Sequence, residues 1–206
     1  MLEATLAATS GAIVPEKMYW YLIGFHWTAN NWRYNTIQET PGDLFVKDIS
    51  GESKLLSRVE VYESRETLGI FFSPDGNMNG QFEKLHKLAK EWVKMMQEGN
   101  LSGSDMWTAL QSTIWRTMAY SLPANTMSKL QWEITISTLL TFALPAMGIC
   151  WHFLRDIVFA LGKYFGLGIK HLHTLQETTH LKDIIYHIHN QTNTGNYIYH
   201  QRNYSI

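Results

Sequence analysis

At 206 residues with a net charge of -1 and a pI of about 6.8, the chain can hold one large or two small domains, but it carries no global basic field. Autonomous tight binding to nucleic acid is therefore not supported by charge alone, and the single cysteine, Cys150, excludes an intrachain disulfide and a cysteine metal site. Charged residues make up 17%, below the roughly 25% of an average soluble protein, which fits either a piece cut from a larger assembly or an ordinary aromatic-rich domain.

One cysteine fits a reducing compartment, so an intracellular setting, nucleus or cytoplasm, is expected. Met1 to Val14 has Glu3 near its start and no basic n-region, so no signal peptide is expected there. Leu2 to Thr9 reads as an Ala-rich helical segment that Gly11 can end. The segment GAIVPEK then leads into MYWYLIGFHW, Met18 to Trp27, an aromatic run with the propensity of a central or two-faced strand. Asn30 and Asn31 suggest a turn, and Trp32 to Tyr34 can return as a second strand.

From Thr36 to Glu66 the chain is polar and turn-rich, with Leu44 to Val46 and Leu55 to Val61 as short strands. Leu68 to Phe72 is a nearly continuous apolar run around a Gly, the pattern of a buried strand. Ser73, Pro74, Asp75 and Gly76 stop it with strong turn chemistry. At 100° per residue, Phe82, Leu85, Leu88, Ala89, Trp92, Val93, Met95 and Met96 then cover one side of a helix, with Lys84, Lys87, Lys90 and Lys94 on the other.

A second helix is expected from a cap at Ser104 or Asp105, carrying Met106, Trp107, Leu110, Ile114 and Met118 inward and ending at Leu122-Pro123. A third begins near Thr126 or Ser128 and runs to Leu144, with Pro145 as its stop, so that three amphipathic helices form a bundle. Ile134 to Leu154 contains no Asp, Glu, Lys or Arg and is long enough to span a bilayer. Pro145, Gly148 and His152 interrupt it, and Thr135, Ser137, Thr138 and Thr141 keep it only moderately apolar, so it reads as a buried helix with no membrane partner. His171 to Ile206 is polar and histidine-rich; His180, Asp183 and His187 have metal-compatible spacing, but no Cys or Glu completes a cluster, and no metal site is expected. The expected class is α+β: a small aromatic-rich antiparallel β region at 1–76, a helical bundle at 77–172, and a polar extension at 173–206.

LGIFF, followed by a turn and a lysine-bearing helix, resembles the segment after the polymerase core of retrotransposon reverse transcriptases, where a strand with a Leu-Gly pair forms the primer grip and leads into the helical thumb. Leu68, Gly69 and Ile70 are the primer-grip-like residues. GAIVPEKMYWYLIGFHW is similar to the Gly- and Lys-bearing loop and strand that follow the palm's paired catalytic aspartates, and the lysine that acts there as leaving-group acid is by position Lys17. Leu122-Pro123, Leu144-Pro145, Arg155-Asp156 and Gly166-Leu167-Gly168 are similar in order to the thumb and connector of non-long-terminal-repeat elements, and the resemblance extends over most of Gly11 to Leu172. It implies a fragment of an RNA-directed DNA polymerase, partnered by a primer-template RNA/DNA duplex and a missing N-terminal polymerase core, with Mg2+ only in the complete polymerase.

A nucleotidyl transferase needs carboxylates close together to hold two metals. Asp43, Asp48, Asp75, Asp105, Asp156 and Asp183 include no adjacent pair, so the chain alone is expected to be inactive and to bind no cofactor of its own. Cys150 has only His152 near it and reads as a buried structural cysteine. What remains is binding: Lys84, Lys87, Lys90, Lys94 and Arg116 are candidates for phosphate contacts, against a solvated helix face in which Glu83 and Glu91 share the arc. The alternative is a non-catalytic interaction module derived from a degenerate polymerase fragment, its exposed aromatics serving a protein partner.

Overall fold

The computed structural model describes residues 14–47 and 50–203, so the helical segment expected at Leu2 to Thr9 lies outside the described residues. The chain divides into two compact units, Met1–Asn77 and Met78–Ile206. The described part of the first is built from short strands and the second from helices, an α+β protein with its small antiparallel sheets ahead of its helical region.

In the first unit a 3₁₀ turn, Pro15–Lys17, precedes β1 (Tyr19–Trp20), β2 (Phe25–Thr28) and β3 (Asn31–Tyr34). They are followed by β4 (Phe45–Lys47), β5 (Ser53–Leu55), β6 (Ser57–Arg58), β7 (Arg65–Thr67) and β8 (Ile70–Phe72). The strands pair two by two: β2 with β3, β4 with β5 and β7 with β8 antiparallel, and β1 with β6 parallel. Two-stranded pairs are marginal alone. Side chains tie this unit together: Tyr19 hydroxyl meets Thr67 Oγ1, Arg58 Nη1 donates to Thr40 O at 2.5 Å, and Tyr21 hydroxyl donates to Glu63 O at 3.0 Å. Arg58 also lies over the Trp20 ring, 5.1 Å from its centroid, beside a small core of Leu56, Val59 and Val61.

Two expectations for this unit are corrected. The aromatic run is not one central strand: it breaks between β1 and β2, and all four residues of β2 are exposed because only β3 pairs with them. Nor is Leu68 to Phe72 a buried strand. Thr67 pairs with Ile70, so Leu68 and Gly69 form the two-residue loop of a hairpin, with φ of 51° and 82° and with Leu68 85% exposed. Two successive positive φ angles match the right-handed twist of a tight hairpin, and the turn geometry outweighs the hydrophobicity of Leu68.

The second unit opens with α1 (Asn79–Glu98), the amphipathic helix expected from its periodicity; Leu85, Ala89 and Met96 are buried, while Met95 is exposed. Ser102 caps α2 (Gly103–Ala109) by accepting from Asp105 N, which places the cap earlier than Ser104 or Asp105. The rod then widens into a π turn, Leu110–Ile114, in which Trp115 N–H donates to Leu110 O, before α3 (Trp115–Tyr120). Ser128 opens α4 (Lys129–Ala146) with a full capping box, and Pro145 lies inside its last turn. In α4 the hydroxyls of Thr135, Thr138 and Thr141 each donate to the carbonyl four residues back, which lets a moderately apolar helix be buried on one side. Among the described residues no helix is long and apolar enough to cross a membrane.

A short α5 (Arg155–Phe159) leads to a loop that folds back on it, with Leu167 N donating to Ile157 O and Gly168 N to Ala160 O. Gly166 is needed there, since a Cβ would stand 2.1 Å from Ala160 O. The unit ends with α6 (Leu172–His189) and α7 (Asn193–Asn203). The core gathers Met106, Leu110, Met118, Leu122, Trp132, Leu139, Leu140, Ile169 and Leu172. Leu172 and Gln176 are buried, so the start of α6 belongs to this core, whereas Leu181, Ile185 and Tyr186 further along are exposed.

Two outcomes are expected. Leu68→Asn relieves a left-handed conformation that costs a branched residue about 1 kcal/mol and strengthens the β7–β8 hairpin, measured as slower amide hydrogen exchange at Ile70; faster exchange would refute the turn assignment. Gln176→Ala strips partners from Trp132 Nε1 and Met127 O and lowers stability by about 2–4 kcal/mol in urea unfolding followed by circular dichroism.

Candidate nucleic-acid interface

Lys87, Lys90 and Lys94 are exposed along α1, with Lys84 less so, and the surface they make is not purely basic. Lys87 lies 4.0 Å from Glu91 and Lys94 lies 3.9 Å from Glu98, both as exposed i,i+4 pairs, and Glu83 is exposed on the same helix. Four lysines against three glutamates leave α1 with one net positive charge. Such pairs contribute little to stability and are screened by salt, so the ammonium groups can be exchanged onto phosphates at small cost. Lys90 is exposed, whereas Lys84 is half-buried and already engaged. Between them His86 stacks on Phe82 at 5.6 Å, and burial, with Lys90 adding to it, holds its imidazole below the usual range.

Arg116 belongs to a different surface. It lies on α3 and lines a groove of about 340 Å³ together with Gln111, Ser112, Trp115 and Lys170. Lys17 is in the first unit, exposed at the end of the 3₁₀ turn, and makes no ion pair among the described residues. Leu68 and Gly69 form an exposed hairpin tip, with Ile70 half-buried beside it. Cys150 is exposed, which corrects the expectation of a buried structural cysteine; it follows the end of α4, where Gly148 has already turned the chain outward at a φ of 78°.

The histidines of α6 are engaged locally. His180 Nε2 is 3.1 Å from Leu122 O and His187 Nδ1 is 2.9 Å from Thr192 Oγ1, and among the described residues no three His, Cys, Asp or Glu side chains are placed to hold a metal ion.

Two further features were not singled out from the sequence as site elements. The β2–β3 hairpin carries Phe25, Trp27, Trp32 and Tyr34 on one face, with ring centroids 5.3–6.4 Å apart and Trp27 71% exposed. The alternation of rings along both strands was the signal that could have found it. On the opposite face, Arg33 grips Glu39 through both terminal nitrogens at 2.7 and 2.5 Å, which holds the Glu39 carboxyl down to about 2.

The second is a cavity of about 540 Å³ in the helical unit, lined by Lys129, Glu133, Arg155, Asp156, Phe159 and His171 among others. Its charges are mixed, and Lys129 and Glu133 stand 3.7 Å apart. His171 caps α6 by accepting from Thr174 N through Nδ1 at 3.5 Å, which requires a ring unprotonated at that nitrogen. Burial, then the neighbouring His173, holds its imidazole below the usual value.

Comparison with models of protein families, with curated proteins and with solved structures found no match.

The His171 shift has a consequence for stability. A histidine held below its usual value of 6.5 takes up its proton less readily folded than unfolded, so its contribution is present above that value and is lost as pH falls below it. His171→Asn keeps an acceptor for the Thr174 amide but does not titrate. Its stability relative to the unsubstituted protein should therefore rise as pH is lowered from about 7.5 to about 5.5, read from paired urea unfolding curves. A difference that falls over the same range would refute the assignment.

Proposed function

We propose that the chain is a fragment of a retrotransposon reverse transcriptase whose part is to hold the primer-template duplex. On this reading the metal-holding carboxylates and the Mg2+ they bind belong to polymerase sequence outside this chain, and the fragment contributes contact without chemistry. The observation that carries it is the order of motifs: a Gly- and Lys-bearing segment, an aromatic strand region, LGIFF, a turn, a lysine-bearing helix, then paired Leu-Pro, Arg-Asp and Gly-Leu-Gly signatures. It is supported by Lys87, Lys90 and Lys94 standing on one exposed side of α1, with Lys87 and Lys94 held only by surface pairs that a phosphate can replace. Lys17, as a leaving-group acid, and Leu68, Gly69 and Ile70, as the primer grip, keep those roles within the proposal.

The β2–β3 ring cluster favours a second reading. Rings this exposed are a cost for an isolated domain, and they suit an interaction module that serves a protein partner.

Fluorescence anisotropy with a labelled RNA–DNA duplex separates the two. The polymerase reading expects sequence-independent binding that falls steeply with salt. It also expects that exchanging Lys84, Lys87, Lys90 and Lys94 for Gln weakens binding and flattens the salt slope by up to about 0.9 for each phosphate no longer neutralised. Unchanged binding in that variant, or no binding by the unsubstituted chain at low salt, would overturn it and leave the interaction reading.

A further inference from the structure

The groove around Arg116 differs in kind from the α1 surface. Arg116 and Lys170 both line it and are both exposed, and among the described residues no carboxylate lines it. The two cations face the same space without a counter-charge. Two like charges lining one groove make a positive field that favours an anion there.

The backbone explains how they come to be there. Through the π turn Leu110–Ile114 the rod is locally wider than an α-helix, and Ile114 and Trp115 at its end are both buried. The buried Trp115 indole donates its Nε1 proton to Lys170 O at 2.6 Å, which anchors the loop before α6 against α3. Lys170 is therefore set beside Arg116 by a bond to its main chain, and its side chain is left free to act. The same turn places Gln111 in the groove wall, where Nε2 is covered from solvent and has no hydrogen-bond partner among the described residues. A buried amide donor without an acceptor is costly unless something supplies one. Ser112, at the rim, adds a hydroxyl whose proton is already directed to Thr108 O, so its role there is as a wall.

A site with two cations, an unsatisfied amide donor, an aromatic wall and no acid is matched to an oxyanion. A volume of about 340 Å³ is enough for a phosphate group with part of what carries it. We propose that this groove is a phosphate-binding site in which Arg116 and Lys170 bracket the anion and the Gln111 amide, turning from its covered position toward the groove, donates to one of its oxygens. The phosphate can come from a nucleic-acid backbone or from a small phosphate ester. The proposal does not depend on the polymerase reading, because the same chemistry binds either source.

The test follows the Gln111 side-chain amide and the Trp115 indole proton by NMR in the full chain, titrated in parallel with inorganic phosphate and with an RNA–DNA duplex at constant ionic strength. Arg116→Gln with Lys170→Gln removes both charges at exposed positions and leaves the Trp115 bond to the Lys170 main chain intact. Lys163→Gln, a lysine outside the groove that lies over the Tyr164 ring, serves as the control. Saturable shifts are expected, with affinity about tenfold weaker in the double variant and unmoved in the control. Saturable, charge-dependent shifts with the duplex identify the source as a nucleic-acid backbone. The same response to phosphate but not to duplex identifies a small phosphate ester, and absence of any duplex binding would then count against the polymerase reading alone. If neither titrant moves the Gln111 signals, or if the double variant responds as the unsubstituted chain does, the proposal is overturned.

Discussion

The indole N–H of Trp132 is fully buried at the centre of the helical unit and is satisfied by Gln176 Oε1 at 2.7 Å. Gln176, itself buried, passes the constraint on by donating Nε2 to Met127 O at 3.0 Å. Two stretches far apart in sequence are thereby locked in one register: α4 with the turn that leads into it, and the first turns of α6. Apolar packing alone tolerates sliding, since leucines and methionines can exchange neighbours at modest cost. A buried polar group cannot, because each donor left without an acceptor carries its full desolvation penalty. The loop from Ala160 to Lys170 and the groove on α3 depend on where this lock holds α6.

The strand unit is held by different means. Its strands pair only two by two, its buried apolar residues are few, and much of its cohesion comes from side chains gripping backbone carbonyls across loops, Arg58 on Thr40 and Tyr21 on Glu63. The aromatic residues that dominate its composition are spent largely on the surface. Stacked in a ladder on one hairpin, they shield one another but not their outer faces, which leaves apolar area that a partner could cover.

Charge is distributed in two ways in the helical unit. On α1 every lysine but Lys90 has a carboxylate or another group engaged with it, so attraction for an anion there must first displace something. In the α3 groove nothing need be displaced. Local arrangement, rather than the count of basic residues on a helix, decides which surface offers the stronger field to a phosphate.

Periodicity, capping residues and turn chemistry made much of the fold legible in advance. The 3.6-residue repeat from Phe82 to Met96 became α1, the Ser128 cap became the start of α4, and the shift from strands to helices near Gly76 was visible in composition. These are short-range effects, in which a residue and its neighbours within a turn or two suffice. Beyond that range the sequence was silent or misleading. LGIFF looked like a buried strand because hydrophobicity does not report that Leu68 and Gly69 must both adopt positive φ to close a hairpin. The π turn left no mark in the spacing of Leu110, Ile114 and Met118, which fits an α-helix equally well, and the approach of Lys170 to Arg116 depends on a bond between residues 55 positions apart. The chain by itself determined where α1 and α4 begin and where the strands give way to helices, since those follow from local backbone preference. Which charges meet, and which donors are left without an acceptor, was decided by tertiary packing, because only the folded chain brings distant side chains into one space.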